Sequence, residues 1–218
     1  MARFDRIKLV EKNYKKLKGK KVGIVGCGSL GSRTAELLAR WGIDFILIDF
    51  DKIEKSNLDS QIYFEKDVGK FKAIALKNKL KQINSKAKLE VLKKELTEDN
   101  AEKLLSKCDL VVDGTDNLKA RFAINKACKK LKIPWVFGSA EKSVGMASCF
   151  GKKYEFDKLI KKSVTKKKFG VSPQAAGIVA GFEAEFAIKL LLGKRFEKKL
   201  VLIDLNNFSA EGLINPFF

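Results

Sequence analysis

Short continuous apolar runs alternate along the chain with longer segments whose apolar residues recur every three or four positions. Continuous apolar runs are typical of parallel strands buried on both faces, and the longer spacing predicts helices. The pattern predicts strands over 21–26, 44–48, 88–92, 109–113 and 135–139. It predicts helices over 4–17, 30–41, 69–84, 98–107, 117–131 and 174–192, and a short helix around 56–62.

The C-terminal third has a different pattern. Residues 144–150 alternate as in an antiparallel strand, and 200–205 with 208–214 predict a closing hairpin. We therefore expect one α/β domain over 1–218, with a Rossmann-like mixed sheet, a parallel nucleotide-binding half, antiparallel C-terminal strands and helices on both faces. An N-terminal helix lies within 1–18. The basic segment 151–172 is too long for an ordinary connection and is predicted to be a crossover.

Charge and composition limit the partners. The net charge is +19, concentrated in 12–21 and 152–168, and such a field attracts nucleic acid or an acidic protein. A lysine-rich solvated surface is the simpler interpretation, because aromatic residues are not interleaved as stacking platforms. No apolar run approaches the ~20 residues that span a bilayer, and no signal peptide is recognised. We expect a cytoplasmic protein without membrane association.

The chain has four widely spaced cysteines and no histidine. No CxxC pair exists, so no zinc is expected. We expect the cysteines to be small buried apolar groups. Cys27 stands near a predicted helix start, which could lower the pKa of its thiol, but packing is the default interpretation. The lack of histidine removes the commonest general base and metal ligand.

A glycine-rich turn follows the first strand. Gly26, Gly28 and Gly31 form a GxGxxG motif between a strand and a helix, and Asp49 ends the next strand about 20 residues later. The glycines let the backbone approach phosphates, and the helix N-terminus adds partial positive charge. Asp49 can bind ribose hydroxyls. Alone, this motif favours a dinucleotide-dependent oxidoreductase. The alternative is a tight structural turn that binds no ligand.

The motifs that follow depart from the dehydrogenase pattern. In order they read LIDFDKIEKSNLDSQ over 47–61, GKFKA over 69–73, and DGTDN over 113–117 with Arg121 and Asn125 beyond. The N-terminal sequence RFDRI over 3–7 and the C-terminal Gly170-Val171 with Pro173 complete the set. This set resembles the ThiF/MoeB/HesA family of ubiquitin-activating-enzyme-like adenylyltransferases over essentially the whole chain.

The resemblance implies ATP and Mg²⁺ and assigns roles to individual residues. It implies that Asp116 organises the magnesium and that Lys72 contacts the phosphates. It also implies that Asn57 contacts the triphosphate, that Asp49 holds the ribose, and that Arg6 reaches the other site of a homodimer.

Other residues in these motifs have two interpretations. Asp51 and Asn117 are candidate nucleotide-binding residues, although Asp51 could instead organise its own turn. Asp116 could also cap the following helix. Arg121 is either a structural cation or a phosphate-side cation.

The chemistry fits these roles. Adenylation joins a carboxylate to the α-phosphate of ATP and expels pyrophosphate, so two anions approach and cations and a metal are required. Asp116 follows a strand end, where ligands bind in open α/β sheets. The attacking carboxylate is already ionised at pH 7, so the lack of histidine is no objection.

Two departures from the family pattern matter. The family's NLxRQ is NLDSQ over 57–61, so Ser60 stands where a phosphate-binding arginine is usual. Either Lys55, Lys70 or Arg33 substitutes, or adenylation is impaired. The crossover over 151–172 contains no cysteine, so we expect an adenylate-forming enzyme without a covalent cysteine step.

Four interpretations remain open within the resemblance. The first is adenylation of the C-terminal Gly-Gly of a ubiquitin-fold sulfur carrier. The second is adenylation of a small carboxylate in cofactor biosynthesis, such as the guanylylpyridinol cofactor of iron hydrogenase. The third is a tRNA-modifying enzyme; nucleic acid is a possible partner but is not favoured. The fourth is an inactive scaffold subunit. A dehydrogenase is a distant fifth.

Overall fold

The computed structural model describes residues 3–151, 156, 170–195 and 198–214. Within them, the strands are β1 Lys21–Val25, β2 Asp44–Ile48, β3 Leu89–Leu92, β4 Leu110–Asp113, β5 Trp135–Glu141, β6 Val144–Phe150, β7 Lys198–Asp204 and β8 Ser209–Ile214. The helices are α1 Asp5–Val10, α2 Ser29–Arg40, α3 Lys72–Ile83, α4 Glu98–Leu105, α5 Leu118–Leu131 and α6 Pro173–Leu191. Short 3-10 turns occur at Tyr14–Leu17, Lys55–Asn57 and Glu65–Asp67.

The strands form a single mixed sheet in the order β3-β2-β1-β4-β5-β6-β7-β8. From β3 to β5 the pairs are parallel, and from β5 to β8 they are antiparallel. This confirms the predicted mixed α/β fold. The order reverses between β1 and β4, and the crevice at the carboxyl ends of such strands is where open α/β sheets bind ligands.

Two apolar layers cover the sheet. On one face, α2, α3 and α6 bury side chains such as Leu38, Leu76 and Val179 in one cluster with residues of β1, β2, β4, β5 and β6. On the other face, α4 and α5 bury Leu105 and Ile124 against alternate residues of the same strands. The inner parallel strands β1, β2 and β4 are buried on both faces, which is why continuous apolar runs indicate them, whereas the edge strand β3 has the exposed Glu90.

The N-terminal segment differs from the continuous helix predicted over 4–17. The α-helix ends at Val10, and the Glu11 side chain accepts a hydrogen bond from the Asn13 backbone N–H (2.8 Å) and pairs with Lys194. These interactions turn the chain before the 3-10 turn at Tyr14–Leu17. No residue of α1 is buried, so the apolar face of this helix is left uncovered.

The remaining differences are small. The short helix expected around 56–62 is the 3-10 turn Lys55–Asn57, and α3 begins at Lys72 because Phe71 is extended. Most of the predicted crossover over 151–172 lies outside the described residues. Among the described helices, none has the length and apolar character needed to cross a bilayer.

Candidate nucleotide-binding site

The loop between β1 and α2 is held by close backbone contacts that only glycine permits. Gly26 has φ +82°, a left-handed conformation that favours glycine. A Cβ on Gly31 would lie 2.0 Å from the Gly26 carbonyl oxygen, and one on Gly114 would lie 2.5 Å from the same atom. The phosphate loop and the loop after β4 therefore pack backbone to backbone at the crevice.

Asp49 fixes the phosphate loop to the end of β2. Its Oδ2 accepts from the Cys27 backbone N–H (2.6 Å) and its Oδ1 accepts from the Asp51 backbone N–H (2.7 Å). The side chain is buried, and burial raises its pKa while the two N–H donors oppose that shift. Each carboxylate oxygen has a second lone pair, so the predicted ribose contact is compatible with this geometry.

Tyr63 is a residue of this site that the sequence did not indicate. Its hydroxyl oxygen lies 2.6 Å from the Cys27 carbonyl oxygen and 3.3 Å from the Lys72 carbonyl oxygen. The ring is buried, and burial raises the pKa of its hydroxyl. Tyr63 thereby links the phosphate loop to the start of α3. A lone tyrosine in an irregular polar stretch carries no signal of this role.

Three predicted residues come together around one cavity. The cavity has a volume of about 270 Å³ and is lined by Asp51, Lys52, Glu54, Asn57 and Lys72. Lys72 is buried, and its Nζ lies 2.9 Å from Asp51 Oδ2. Asn57 Oδ1 accepts from the Glu54 backbone N–H (3.1 Å). A buried lysine beside a polar cavity is unlike an ordinary solvated lysine, as expected for a ligand contact.

The loop after β4 is organised by a buried ion pair. Asp113 is fully buried, and its Oδ2 lies 3.1 Å from Arg121 Nε. Asp113 Oδ1 also accepts from the backbone N–H and the hydroxyl of Thr115, while Arg121 Nη2 donates to the Thr115 carbonyl (2.9 Å). Burial raises the pKa of Asp113, and the Arg121 charge opposes that shift. These contacts favour the structural role of Arg121.

The other predicted residues lie outside the cavity lining. Asp116 is exposed in the loop after β4, and Asn117 rather than Asp116 caps α5, with its Oδ1 accepting from the Ala120 backbone N–H (2.9 Å). Arg6 is exposed on α1. No cluster of three or more potential ligands from histidine, cysteine, aspartate and glutamate occurs in the described part of the chain.

All four cysteines are free and buried. Burial raises the pKa of the Cys27 thiol well above its ordinary value, and the Asp49 charge raises it further. The Lys72 charge lowers this pKa but does not offset the effect of burial. The structure therefore supports packing rather than reactivity for Cys27.

Solved structures share this fold. Escherichia coli MccB, solved with ATP, superposes with a TM-score of 0.81 at 24% identity, covering 98% of this chain and 71% of that chain. The E. coli MccB complex with AMPCPP and the MccA peptide superposes with a TM-score of 0.79, also at 24% identity, covering 97% and 71% of the respective chains. At this identity the likeness establishes the architecture.

Relatives of higher sequence identity align with this chain over different shares of their own length. The molybdopterin-synthase adenylyltransferase of Haemophilus influenzae is 32% identical, over 87% of this chain and 82% of that protein. The sulfur carrier protein ThiS adenylyltransferase of Bacillus subtilis is 34% identical, over 88% and 60%. The adenylyltransferase and sulfurtransferase MOCS3 of Anopheles gambiae is 39% identical over 62% of this chain, which spans about a third of that longer protein (31%).

The family model agrees with these similarities and with the order of the motifs. The model of the ThiF family matches residues 3–214, which include the phosphate loop, the cavity and the antiparallel strands. This chain belongs to the ThiF family.

Proposed function

We propose that this protein is an ATP-dependent adenylyltransferase that activates the C-terminal Gly-Gly carboxylate of a ubiquitin-fold sulfur carrier. The observation that carries the proposal is the buried Lys72, placed with Asp51 and Asn57 around one cavity beside the phosphate loop. The H. influenzae relative, which aligns over most of its length, is named for this chemistry on the molybdopterin-synthase system. The net charge of +19 suits an acidic protein partner.

The reaction needs binding and charge neutralisation more than proton transfer. The phosphate loop offers backbone N–H groups and the N-terminus of α2 to the triphosphate. Asp49 accepts hydrogen bonds from the ribose hydroxyls. Lys72, held by Asp51 at 2.9 Å, neutralises charge as the carboxylate approaches the α-phosphate. The bond from the α-phosphorus to the bridging oxygen then breaks, and pyrophosphate leaves with that electron pair. No side chain removes a proton, because the nucleophile is already ionised.

Magnesium fits the donor set around the loop after β4. Mg²⁺ in nucleotide sites is usually held by one or two carboxylates together with substrate phosphates, so a dedicated cluster of acids is not required. Asp116 supplies an exposed carboxylate in that loop. When bound, the ion withdraws negative charge from the phosphates. Asn117 fixes the loop by capping α5.

We also propose that the protein acts as a homodimer in the cytoplasm. Leu9 and Val10 on α1 are 85% and 80% exposed, which is expected of a helix covered by a second subunit. Arg6 lies on the same helix and would reach the phosphates of the partner site. The four free cysteines agree with a reducing compartment.

A small-molecule carboxylate is the second candidate substrate. The observation that favours it is the burial of every cysteine in the chain, which leaves no accessible thiol for a covalent step on a carrier protein. Adenylation alone is sufficient for a small acid.

Exchange of radiolabelled pyrophosphate into ATP tests the proposal. We expect exchange with a Gly-Gly-terminated carrier and none with the same carrier lacking both glycines. Exchange that needs only a small carboxylate would identify the second candidate. ATP binding without exchange for any acceptor would indicate an inactive scaffold, and salt-sensitive tRNA binding with tRNA-dependent exchange would indicate the tRNA enzyme.

Matched variants locate the chemistry. Lys72→Met and Asp116→Asn should abolish exchange, whereas Lys70→Met and Asp99→Asn should retain it, because Lys70 is exposed and paired with Asp67 and Asp99 is exposed in the first turn of α4. Mixing Arg6→Ala with Asp116→Asn subunits should restore exchange, since one site of each mixed dimer is then intact. Full exchange by the Arg6→Ala protein alone would contradict the shared site.

A further inference from the structure

Arg33 connects the phosphate-loop helix to the loop that contains Asn57. It lies one turn after Ser29 on α2, so the two side chains share a face of the helix. Arg33 Nη2 donates to the Ser60 carbonyl oxygen (3.1 Å), and Ser29 Oγ donates to the same atom (2.7 Å). The first two turns of α2 thereby hold residue 60 beside the phosphate loop.

Within the described part of the chain, no carboxylate compensates the charge of Arg33. Among the residues that the structure describes, its hydrogen bond goes to a neutral carbonyl, and its Nε is buried without any hydrogen-bond partner. A partly buried guanidinium without a carboxylate is costly in free energy. The same desolvation strengthens its attraction for an anion, because fewer water molecules screen the interaction.

Other cations near the crevice are already paired or are unrestrained. Lys72 pairs with Asp51, and Arg121 pairs with Asp113. Lys70 pairs with Asp67 (2.8 Å). Lys55 is exposed on its 3-10 turn, and Lys52, which lines the cavity, is exposed beside the Phe71 ring. Arg33 therefore differs from these cations, because it is held in position and has no negatively charged partner among the residues whose placement is described.

The position of Arg33 indicates which part of a nucleotide it would meet. The backbone N–H of Gln61 donates to the Asn57 carbonyl (2.9 Å), so Ser60 belongs to the same compact turn as Asn57. That turn forms a wall of the cavity. Asp49, the predicted ribose ligand, instead contacts the phosphate loop at the Cys27 backbone N–H. Arg33 therefore contacts the turn that contains Asn57, the residue expected to bind the triphosphate.

We propose that Arg33 binds the β- and γ-phosphates of ATP and supplies the guanidinium that Ser60 lacks. The inference rests on the proposed function, because it requires ATP in this site. A guanidinium can donate two parallel hydrogen bonds to phosphate oxygens, and Arg33 reaches the Ser60 position from α2 rather than from the loop. The cation that neutralises these phosphates would then come from α2 instead of from the loop that contains Ser60.

Isothermal titration calorimetry of the protein with ATP and with AMP tests this role, because AMP lacks the β- and γ-phosphates. Arg33→Met preserves helix propensity and removes the charge. We expect its affinity for ATP to fall about 10- to 100-fold, with its affinity for AMP within about twofold of the unmodified protein. Arg40→Met is the matched control on the same helix, since Arg40 is exposed and paired with Glu36. It should bind both nucleotides normally.

Two outcomes would overturn the inference. Unchanged ATP affinity in Arg33→Met would show that the guanidinium contacts no phosphate, and an equal loss for ATP and AMP would show that it only holds the loop. If Arg33→Met does not fold, Arg33→Lys keeps the positive charge but lacks the two parallel N–H donors of the guanidinium. Its affinity must again fall for ATP and not for AMP. An unmodified protein that binds neither nucleotide would refute the proposed function itself.

Discussion

Arg121 Nε lies 3.1 Å from Asp113 Oδ2, and both side chains are withdrawn from solvent, with 12% and 0% exposed. The pair connects α5 to the end of β4 at the sheet edge where the nucleotide is expected. Arg121 also lies over the Phe137 ring, with its guanidinium carbon 4.9 Å from the ring centroid. The loop that contains Asp116 is therefore anchored to the core by an interaction that would itself be costly to break.

Arg121→Met should lower the free energy of unfolding by about 3–5 kcal/mol, because Asp113 is left buried and unpaired. Urea denaturation measures the change. Lys126→Met on the same helix is the control, since the Lys126–Glu98 pair is exposed and should contribute no more than about 1 kcal/mol. A loss in Arg121→Met no larger than in Lys126→Met would contradict a structural role for the buried pair.

Gly31→Ala should disrupt the phosphate loop, because the added Cβ would lie 2.0 Å from the Gly26 carbonyl oxygen. We expect a loss of about 1–3 kcal/mol in stability together with a loss of ATP binding, measured by denaturation and titration calorimetry. Gly181→Ala in the middle of α6 is the control. No atom lies within 4 Å of a Cβ there, so alanine should stabilise the helix by up to about 1 kcal/mol. Normal ATP binding by Gly31→Ala would refute the close-contact argument.

The sequence was most informative where one local pattern determined the structure. The apolar run over 44–48 coincides with β2, because a central parallel strand must be apolar on both faces. Gly42 and Gly193 follow the ends of α2 and α6, where glycine is common, and both have positive φ. The order of motifs then identified the family, and three of the residues it implicated, Asp51, Asn57 and Lys72, line one cavity.

The sequence was least informative about contacts between distant residues. The hydroxyl of Tyr63 meets Cys27 across 36 positions, and the contact between Arg33 and Ser60 spans 27. Neither contact follows from periodicity or propensity, because both depend on how the irregular stretch after β2 folds back on α2. The N-terminal helix was predicted too long for a related reason. Glu11 turns the chain through contacts with Asn13 and the distant Lys194.

Tyr63→Phe should weaken the phosphate loop without opening the core. The ring remains buried, but the hydroxyl 2.6 Å from the Cys27 carbonyl is lost. We expect a loss of about 1 kcal/mol in stability and weaker ATP binding by calorimetry. Tyr14→Phe is the control, because Tyr14 packs against Phe4 in the N-terminal segment, and it should change ATP affinity little. Equal ATP affinity in the two variants would show that Tyr63 does not support the loop.

Glu183 makes the stability of the protein dependent on pH. It is fully buried on α6, where Thr34 Oγ1 donates to its Oε2 (2.6 Å) and its Oε1 has no partner among the described residues. Burial raises its pKa from 4.5 to about 8, the nearby Asp113 also raises it, and Thr34 and Arg121 oppose the shift. The folded protein therefore holds a proton that the unfolded chain releases near pH 4.5.

This carboxyl group contributes stability that is fully present below about pH 4.5 and is lost as the pH rises towards 8. Glu183→Gln keeps the shape of the side chain but cannot ionise. The stability of Glu183→Gln relative to the unmodified protein should rise across that pH window and level off above it. The slope should approach about 1.4 kcal/mol per pH unit, which corresponds to one proton bound only by the folded protein. Urea denaturation at pH 5, 6.5 and 8 measures the difference. The exposed Glu185→Gln, two residues along the same helix and paired with Lys189, should show a nearly constant difference over that range. A constant difference for Glu183→Gln as well would mean that Glu183 is ionised in the folded protein.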